Sequence, residues 1–125
     1  MTRVIGIADV AAVGEPDNDL LLRQLVTAPH SGADISVTWV QLAGGHRRLR
    51  TARSTRVYAV LSGSVTMQIG DESPERVDAG QLLVVPRDLP YELAGVGTYL
   101  VVNAPAYVVG DDVYLEPADR SEPAS

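Results

Sequence analysis

The chain has 125 residues, a length typical of a single domain. Its 46% of hydrophobic and 21% of charged residues are sufficient to form a core and exclude a disordered protein. A net charge of −6 argues against surfaces for nucleic acid or anionic membranes, and the absence of cysteine excludes disulfide bonds and thiolate metal sites.

Short apolar segments separated by turn residues predict an all-β fold. In chain order, strands are predicted at 5–13, 20–26, 35–42, 55–61, 64–69, 81–85, 91–94 and 98–103. Glycine, proline and aspartate predict turns or loops at 14–19, 28–32, 43–45, 62–63 and 70–74. Segment 20–26 has a helical alternative, but the strand-like chain after it favours a strand. Short strands at regular spacing are typical of a β-sandwich or barrel.

A single domain is predicted over residues 1–116, with no internal repeat. The last segment, 117–125, contains two prolines and several charged residues, which predict a flexible tail. No apolar segment reaches the ~20 residues of a membrane span, and the N-terminus lacks the apolar run of a signal peptide. We therefore expect a soluble, cytoplasmic protein with no membrane or nucleic-acid partner.

Two segments in the middle of the chain carry a family pattern. Segment 44–63 begins with Gly-Gly-His and ends in Leu-Ser-Gly, and segment 80–91 contains Gly-Gln-Leu-Leu-Val-Val-Pro and ends in Leu-Pro-Tyr. They resemble the two motifs of the cupin superfamily, and 103–107 followed by Asp111 and Asp112 resembles the closing segment of small cupins. The resemblance implies a double-stranded β-helix, a small jelly-roll barrel. It does not imply one reaction, because cupins include oxygenases, isomerases, decarboxylases, cyclases and non-catalytic proteins.

The positions at which cupins usually carry metal ligands hold other residue types here. Carried over from the resemblance, these positions fall on Arg50, Ala52, Arg56 and Tyr91. A shift of one residue in the first motif would place Leu49 and Thr51 at the first two positions, and neither is a better ligand. Arginine stays protonated and cannot bind a metal. We therefore expect no metal and no other cofactor.

Strand alternation predicts which side chains line the interior of the barrel. The predicted lining consists of Trp39, Gln41, His46, Arg48, Arg50, Arg56, Tyr58 and Tyr91. For catalysis, proton transfer is assigned to Tyr91 or His46 and charge stabilisation to Arg50 and Arg56. We expect a neighbouring arginine to lower the pKa of Tyr91. Substrate binding is assigned to Trp39, Gln41, Arg48 and Tyr58.

An alternative exists for the arginines of 47–53, which can equally form a solvated face paired with carboxylates. Asp88 and Glu92 are predicted either to face solvent or to pair with one of these arginines. His30, in a loop with proline and glycine, is predicted to be exposed.

A basic, aromatic pocket predicts a metal-independent cupin that acts on a small anionic or enolisable metabolite. Its chemistry would be proton transfer of the isomerase, epimerase, cyclase or lyase type, in a biosynthetic pathway. The alternative is a non-catalytic cupin that binds a small molecule or has a structural role, and the sequence leaves both open. The resemblance also implies a homodimer formed at a sheet edge or by exchange of an N-terminal strand, with 4–13 or 20–26 as candidates.

Overall fold

The computed structural model describes residues 4–15 and 17–116, so the predicted tail at 117–125 lies outside the described residues. The strands of the described chain are β1 (Val13–Gly14), β2 (Leu20–Val26), β3 (Ser36–Thr51), β4 (Thr55–Ile69), β5 (Glu75–Asp78), β6 (Leu82–Val85), β7 (Tyr91–Ala104) and β8 (Asp112–Tyr114). Helical structure in the same residues is limited to α1 (Ala28–Ser31) and a 3-10 turn at Ile7–Asp9. The predicted all-β fold is confirmed.

The strands form one antiparallel sheet that surrounds the core. Their order is β1-β2-β3-β7-β4-β5, with β6 paired to β4 and β8 paired to β3. The central strands β3, β7 and β4 are 16, 14 and 15 residues long. Strands of this length can contribute to both faces of a jelly-roll barrel if they bend.

The long strands join segments that the sequence predicts as separate. Turns predicted at 43–45 and 62–63 are bends inside β3 and β4 instead of chain reversals. Glycine permits these bends, because Gly44 has a φ of 140° and Gly63 a φ of 70°. A side chain at Gly63 would also overlap the backbone of Val96 and Gly97 on the neighbouring strand.

The N-terminal segment differs from its prediction. The strand expected over 5–13 is wrong, since only Val13 and Gly14 pair with β2 and most of the residues before them are exposed. The loop expected at 28–32 contains α1, whose N-terminus is capped by Thr27 and His30. The short strands β5 and β8 are absent from the sequence prediction, because segments of four and three residues carry little periodic signal.

One hydrophobic core fills the barrel. It consists of Val40, Leu42, Leu49, Tyr58, Val60, Val65, Met67, Val77, Val85, Tyr91, Leu93, Tyr99 and Val101. The chain has no phenylalanine, so tyrosines supply the aromatic volume. Buried tyrosine hydroxyls require hydrogen-bond partners, and this requirement places a polar network next to the core. None of the helices in the described part of the chain has the length and apolar character needed to cross a bilayer.

Candidate functional site

A cavity of about 140 Å³ opens into the interior of the barrel between β2, β3, β4, β7 and β8. Its apolar wall comes from Leu20, Leu22, Val40 and Val101. Its polar and aromatic lining consists of Glu15, Gln24, Thr38, His46, Arg56, Tyr58, Tyr99, Asn103, Tyr107, Asp112 and Tyr114. The barrel is therefore not sealed by apolar side chains, and it presents hydrogen-bonding groups to a small molecule.

Arg56 is the centre of the polar network. It lies on the inward face of β4 and is 4% exposed. Its guanidinium donates to the Asn103 side-chain oxygen at 2.5 Å, to the Tyr91 hydroxyl at 2.8 Å and to an Asp112 carboxylate oxygen at 2.6 Å. Burial lowers the pKa of Arg56, but Tyr91, Tyr58 and Asp112 outweigh burial and raise the pKa well above its ordinary value. Arg56 is therefore charged, and Asp112 neutralises its charge.

Tyr91 and Tyr58 extend this network to the cavity. The two hydroxyl oxygens are 2.7 Å apart. The Tyr91 hydroxyl accepts a hydrogen bond from Arg56, and among the described residues the only acceptor recorded for its own proton is the Tyr58 hydroxyl. The Tyr91 proton therefore points to Tyr58, which leaves the Tyr58 proton free to point into the cavity. Aligned hydrogen bonds of this kind polarise one another and strengthen the last donor.

This geometry corrects the role predicted for Tyr91. Tyr91 is fully buried and does not line the cavity, so it supports Tyr58 from behind instead of touching a ligand. Burial raises the pKa of Tyr91 well above its ordinary value, and this outweighs the opposite effect of Arg56. The expectation of a lowered pKa is wrong, because desolvation penalises the phenolate more than the buried cation favours it.

His46 supplies a base to the lining of the same cavity. Its Nδ1 lies 2.8 Å from the carbonyl oxygen of Arg47, which can only accept a hydrogen bond, so Nδ1 carries the proton. Nε2 keeps its lone pair and lies 3.7 Å from a carboxylate oxygen of Glu15. Burial lowers the pKa of His46 below 6.5, so the imidazole is neutral at neutral pH. Tyr114 stacks on the ring, with centroids 6.3 Å apart.

Glu15 is a site residue that the sequence did not suggest. Asn18, which is buried, donates to its carboxylate at 2.6 Å. The side-chain oxygen of Asn18 in turn accepts the backbone N–H of Arg47 at 2.7 Å. This pair of bonds attaches the turn before β2 to β3 next to His46. The turn composition of 14–19 was visible in the sequence, but its contact with His46 spans about thirty residues and has no local pattern.

Trp39 and Gln41 lie on the wrong side of β3 to bind a ligand in the cavity. The inward residues of this strand are Ser36, Val40 and Leu42, which are 4%, 5% and 0% exposed. Trp39 faces outward, where Arg23 lies 5.1 Å above its ring. The predicted lining role of these two residues is wrong, because both faces of this strand carry apolar residues and alternation alone did not identify the inner one.

Arg48 and Arg50 are also excluded from the cavity, by a β-bulge. The register of β3 against β7 shifts between His46 and Leu49. One extra residue reverses the alternation, so that Leu49 and Thr51 face inward and are fully buried. Arg48 pairs with Glu92 at 3.4 Å and Arg50 with Asp88 at 3.1 Å. Arg48 and Arg50 therefore belong to a partly solvated face paired with carboxylates, the alternative to a place in the cavity. The motif register shifted by one residue, with Leu49 and Thr51 facing inward, is the one observed.

The family's metal positions do not fit a metal ion in this chain. In the observed register they hold Leu49, Thr51, Arg56 and Tyr91. Arg56 and Tyr91 are bonded to each other, and the guanidinium has no lone pair to offer. Across residues 4–15 and 17–116, no three His, Asp or Glu side chains cluster closely enough to hold a metal ion.

The net charge of the cavity also differs from the predicted basic character. Of the three arginines predicted to line the cavity, Arg48, Arg50 and Arg56, only Arg56 does so, and Asp112 neutralises its charge. Glu15 adds a further carboxylate, while His46 is neutral at neutral pH. Asp112 belongs to the closing segment of the cupin pattern, but its pairing with Arg56 of β4 could only come from the folded chain.

Comparison with known proteins supports the fold assignment. No protein-family model and no curated protein sequence matches the chain. Among solved structures, Pac13 of Streptomyces, a nucleoside dehydratase, is similar with a TM-score of 0.79 and 17% identity over 93% of this chain and 92% of that chain. KdgF from Halomonas sp. has a TM-score of 0.72 and 12% identity over 84% and 96% of the two chains.

Oxalate decarboxylase from Bacillus subtilis is similar over 92% of this chain but 34% of its own, with a TM-score of 0.73 and 18% identity. At these identities the similarity identifies the fold and not the reaction. The fold expected from the motifs at 44–63 and 80–91 is the same as that of the observed antiparallel barrel and of these similar structures. The chain therefore has the fold of a cupin-type jelly-roll barrel, with Arg56, Tyr58 and His46 in the lining of an interior cavity.

Proposed function

We propose that the protein is a metal-independent lyase of the dehydratase type, acting on a small, uncharged, hydroxylated metabolite that carries a carbonyl group. The observation that carries this proposal is that a base and a hydrogen-bond donor line one cavity. His46 presents an unprotonated Nε2, and Tyr58 presents a hydroxyl that is polarised through Tyr91 by Arg56. A base and a hydrogen-bond donor are the groups that enolisation requires.

The charge of the cavity argues for a neutral substrate instead of an anionic one. Glu15 and Asp112 line the cavity together with a single cation, Arg56, and the guanidinium is already bound to Asp112 at 2.6 Å. A carboxylate or phosphate would meet two carboxylates without an unpaired cation. Hydroxyl groups, in contrast, can donate to these carboxylates.

In the proposed reaction, His46 Nε2 removes the proton from the carbon next to the carbonyl group. The Tyr58 hydroxyl donates a hydrogen bond to the carbonyl oxygen, where negative charge develops in the enolate. The hydroxyl group on the next carbon then leaves, and its C–O bond breaks as the enolate re-forms the carbonyl. The proton on Nε2 joins the leaving group, so water and an unsaturated carbonyl compound are released and His46 is neutral again. Glu15, 3.7 Å from Nε2, stabilises the transient imidazolium.

The similarity to Pac13 supports this class of reaction. Pac13 is a nucleoside dehydratase, and its structures with uridine include variants in which a histidine is replaced by glutamine and tyrosines by phenylalanine. His46, Tyr58 and Tyr91 are the same residue types in the present site. A nucleoside or sugar with an oxidised carbon is accordingly the first substrate class to examine.

The test is an assay for loss of water from uncharged β-hydroxy carbonyl compounds, including oxidised nucleosides and sugars. The product is followed by its unsaturated-carbonyl absorbance and by mass spectrometry. Replacement His46→Gln is expected to lower kcat roughly 10²- to 10⁴-fold, and Tyr58→Phe roughly 10²- to 10³-fold.

The matched control is His30→Gln. His30 is exposed and caps α1, and glutamine at the same position can maintain the cap. Full activity of His46→Gln would contradict the proposal. Binding of these compounds without turnover by the wild-type protein would favour the non-catalytic alternative.

We also propose that the protein is a homodimer formed through the outer face of its sheet. Cross-strand pairing aligns two rows on this face that are apolar across β3, β7, β4 and β6, and the row through Trp39 continues to Arg23 of β2. The rows are Val37, Val102, Val57 and Val84, and Trp39, Leu100, Ala59 and Leu82. Val84 and Leu82 are 56% and 66% exposed. An apolar surface of this kind is typical of an interface between subunits.

A further inference from the structure

A second cavity of about 210 Å³ adjoins the first at the open end of the barrel. Gln24, Thr38 and Tyr107 line both cavities and form the boundary between them. Gln24 of β2 and Thr38 of β3 are cross-strand partners on the inward face of the sheet. Beyond them, the second cavity is bounded by the start of α1 and by the segment after β7.

The second cavity differs in chemistry from the first. Its lining in the described chain includes no aspartate, glutamate, lysine, arginine or histidine. Apolar contact comes from Val26, Pro29 and Val108. This neutral, largely apolar surface is unsuited to a phosphate or a carboxylate, which would lose its hydration without gaining a charged partner.

Polar groups at the boundary are free to bind a ligand. The side-chain amide of Gln24 and the hydroxyl of Thr38 have no hydrogen-bond partner among the described residues. Ser36, also in this cavity, is different because its hydroxyl accepts the backbone N–H of Tyr107 at 2.9 Å. That bond and the Arg53–Asp111 pair, at 2.8 Å, hold the segment that places the Tyr107 ring over the boundary.

We propose that the second cavity binds the non-reacting part of the substrate, and that this part is an uncharged planar heterocycle with amide-type donors and acceptors. The proposal rests on the proposed function, because it divides the substrate of that reaction between two cavities. The hydroxylated carbonyl part lies against His46 and Tyr58. The ring lies against Tyr107, and its edge pairs with the amide of Gln24, which offers one donor group and one acceptor group as such an edge requires.

The first experiment measures binding and does not depend on turnover. The probes are uracil, cytosine and adenine, titrated into isotopically labelled wild-type protein and followed by NMR. At least one of these bases is expected to shift the side-chain amide signals of Gln24 and the backbone signals of Thr38 and Tyr107. Absence of binding by all three bases, or shifts confined to residues such as Tyr58 and Tyr99, would overturn the proposal.

The second experiment compares Gln24→Leu with Gln41→Leu. The two glutamines lie on adjacent strands, but Gln41 faces away from the cavities. Loss of one or two hydrogen bonds is expected to raise the dissociation constant of the bound base about 3- to 10-fold in Gln24→Leu only. An equal constant in Gln24→Leu and wild type would contradict the role of Gln24.

The two proposals can fail separately. A protein that binds a base at Gln24 but dehydrates nothing would contradict the proposed function and leave the second cavity assigned. A protein that dehydrates a substrate but binds none of the three bases would support the proposed function and contradict the assignment of the second cavity.

Discussion

At the scale of single residues, Arg56 connects the fold to the proposed chemistry. The three nitrogens of its guanidinium donate to three different residues. Nε donates to Asn103 of β7, one terminal nitrogen to Tyr91 and the other to Asp112 of β8. Such a residue costs much to bury unless every partner is present. The same bonds that stabilise the charge also orient the Tyr58 hydroxyl, so stability and function depend on one side chain.

Replacement Arg56→Ala is expected to lower the free energy of unfolding by about 3–5 kcal/mol, because Asp112 and Tyr91 would lose a buried charged partner. Arg76→Ala is the matched control, since Arg76 pairs with Asp78 at 2.7 Å while its side chain is 71% exposed. An exposed pair of this kind contributes about 0–1 kcal/mol. Urea denaturation measures both values. Similar losses of unfolding free energy in the two variants would show that the buried Arg56 network stabilises the protein no more than an exposed ion pair does.

The lowered pKa of His46 predicts how stability and activity depend on pH. In the unfolded chain His46 has its ordinary pKa of 6.5, whereas burial lowers its pKa in the folded protein. The unfolded state therefore binds more protons just below pH 6.5, so stability is complete above this pH and is lost as pH falls toward the folded pKa. The acidic limb of the kcat/KM profile should likewise lie below pH 6.5.

The measurement is thermal unfolding and kcat/KM as functions of pH in wild type, His46→Gln and His30→Gln. The slope of stability just below pH 6.5 should become smaller in His46→Gln and should persist in His30→Gln. A wild-type activity that falls already above pH 6.5 would be inconsistent with a buried, neutral His46 as the base.

At the scale of elements, the bends of β4 and β7 determine the shape of the site. Gly63 pairs with Gly97, and a Cβ at Gly63 would overlap the backbone of Val96 and Gly97. The pairing of the two long strands continues past this point, with a single register shift between Val60 and Ser62. Arg56 and Tyr58 on one side of the bend and Val65 and Met67 on the other therefore face the same interior.

Replacement Gly63→Ala is expected to destabilise the protein by about 2–5 kcal/mol, from the strained positive φ and from overlap with the neighbouring strand. Gly80→Ala is the control that separates these causes. Gly80 has a φ of 87° but open space around its Cα, so only the strain of about 1–3 kcal/mol applies. Chemical denaturation of both variants provides the comparison, and equal losses would show that the close approach of the strands contributes nothing.

At the scale of the whole molecule, the outer apolar face leads to a prediction about assembly. Val84→Glu is expected to convert the proposed dimer to a monomer, because it places a charge in an apolar interface. Val13→Glu is the matched control, since Val13 is 54% exposed and Val84 is 56% exposed. Light scattering of the purified variants measures the mass.

Dissociation by Val13→Glu instead of Val84→Glu would favour pairing through the N-terminal edge, and a monomeric wild type would contradict both arrangements. Within one chain β2 pairs with β3 along most of its length, whereas on its other edge β1 pairs only with Leu21 and Leu22.

The sequence alone determined the fold class and part of the site. Turn residues at regular intervals and the two cupin-like motifs were sufficient to predict an antiparallel barrel. The inward positions of Arg56 and Tyr58 also followed from alternation, because β4 runs without a bulge from Thr55 to Val60. Local patterns with a period of two residues are reliable wherever a strand is regular.

Only the tertiary structure decided which other groups meet in the cavity. The bulge after His46 turned Arg48 and Arg50 outward, and an extra residue in one strand is defined by its partner strand, not by its own sequence. Asp112 and Glu15 reach the cavity from segments far from β4 and β3, and they change its charge from basic to nearly neutral or negative. The character of the site therefore depends on long-range pairing, which no local periodicity in the chain records.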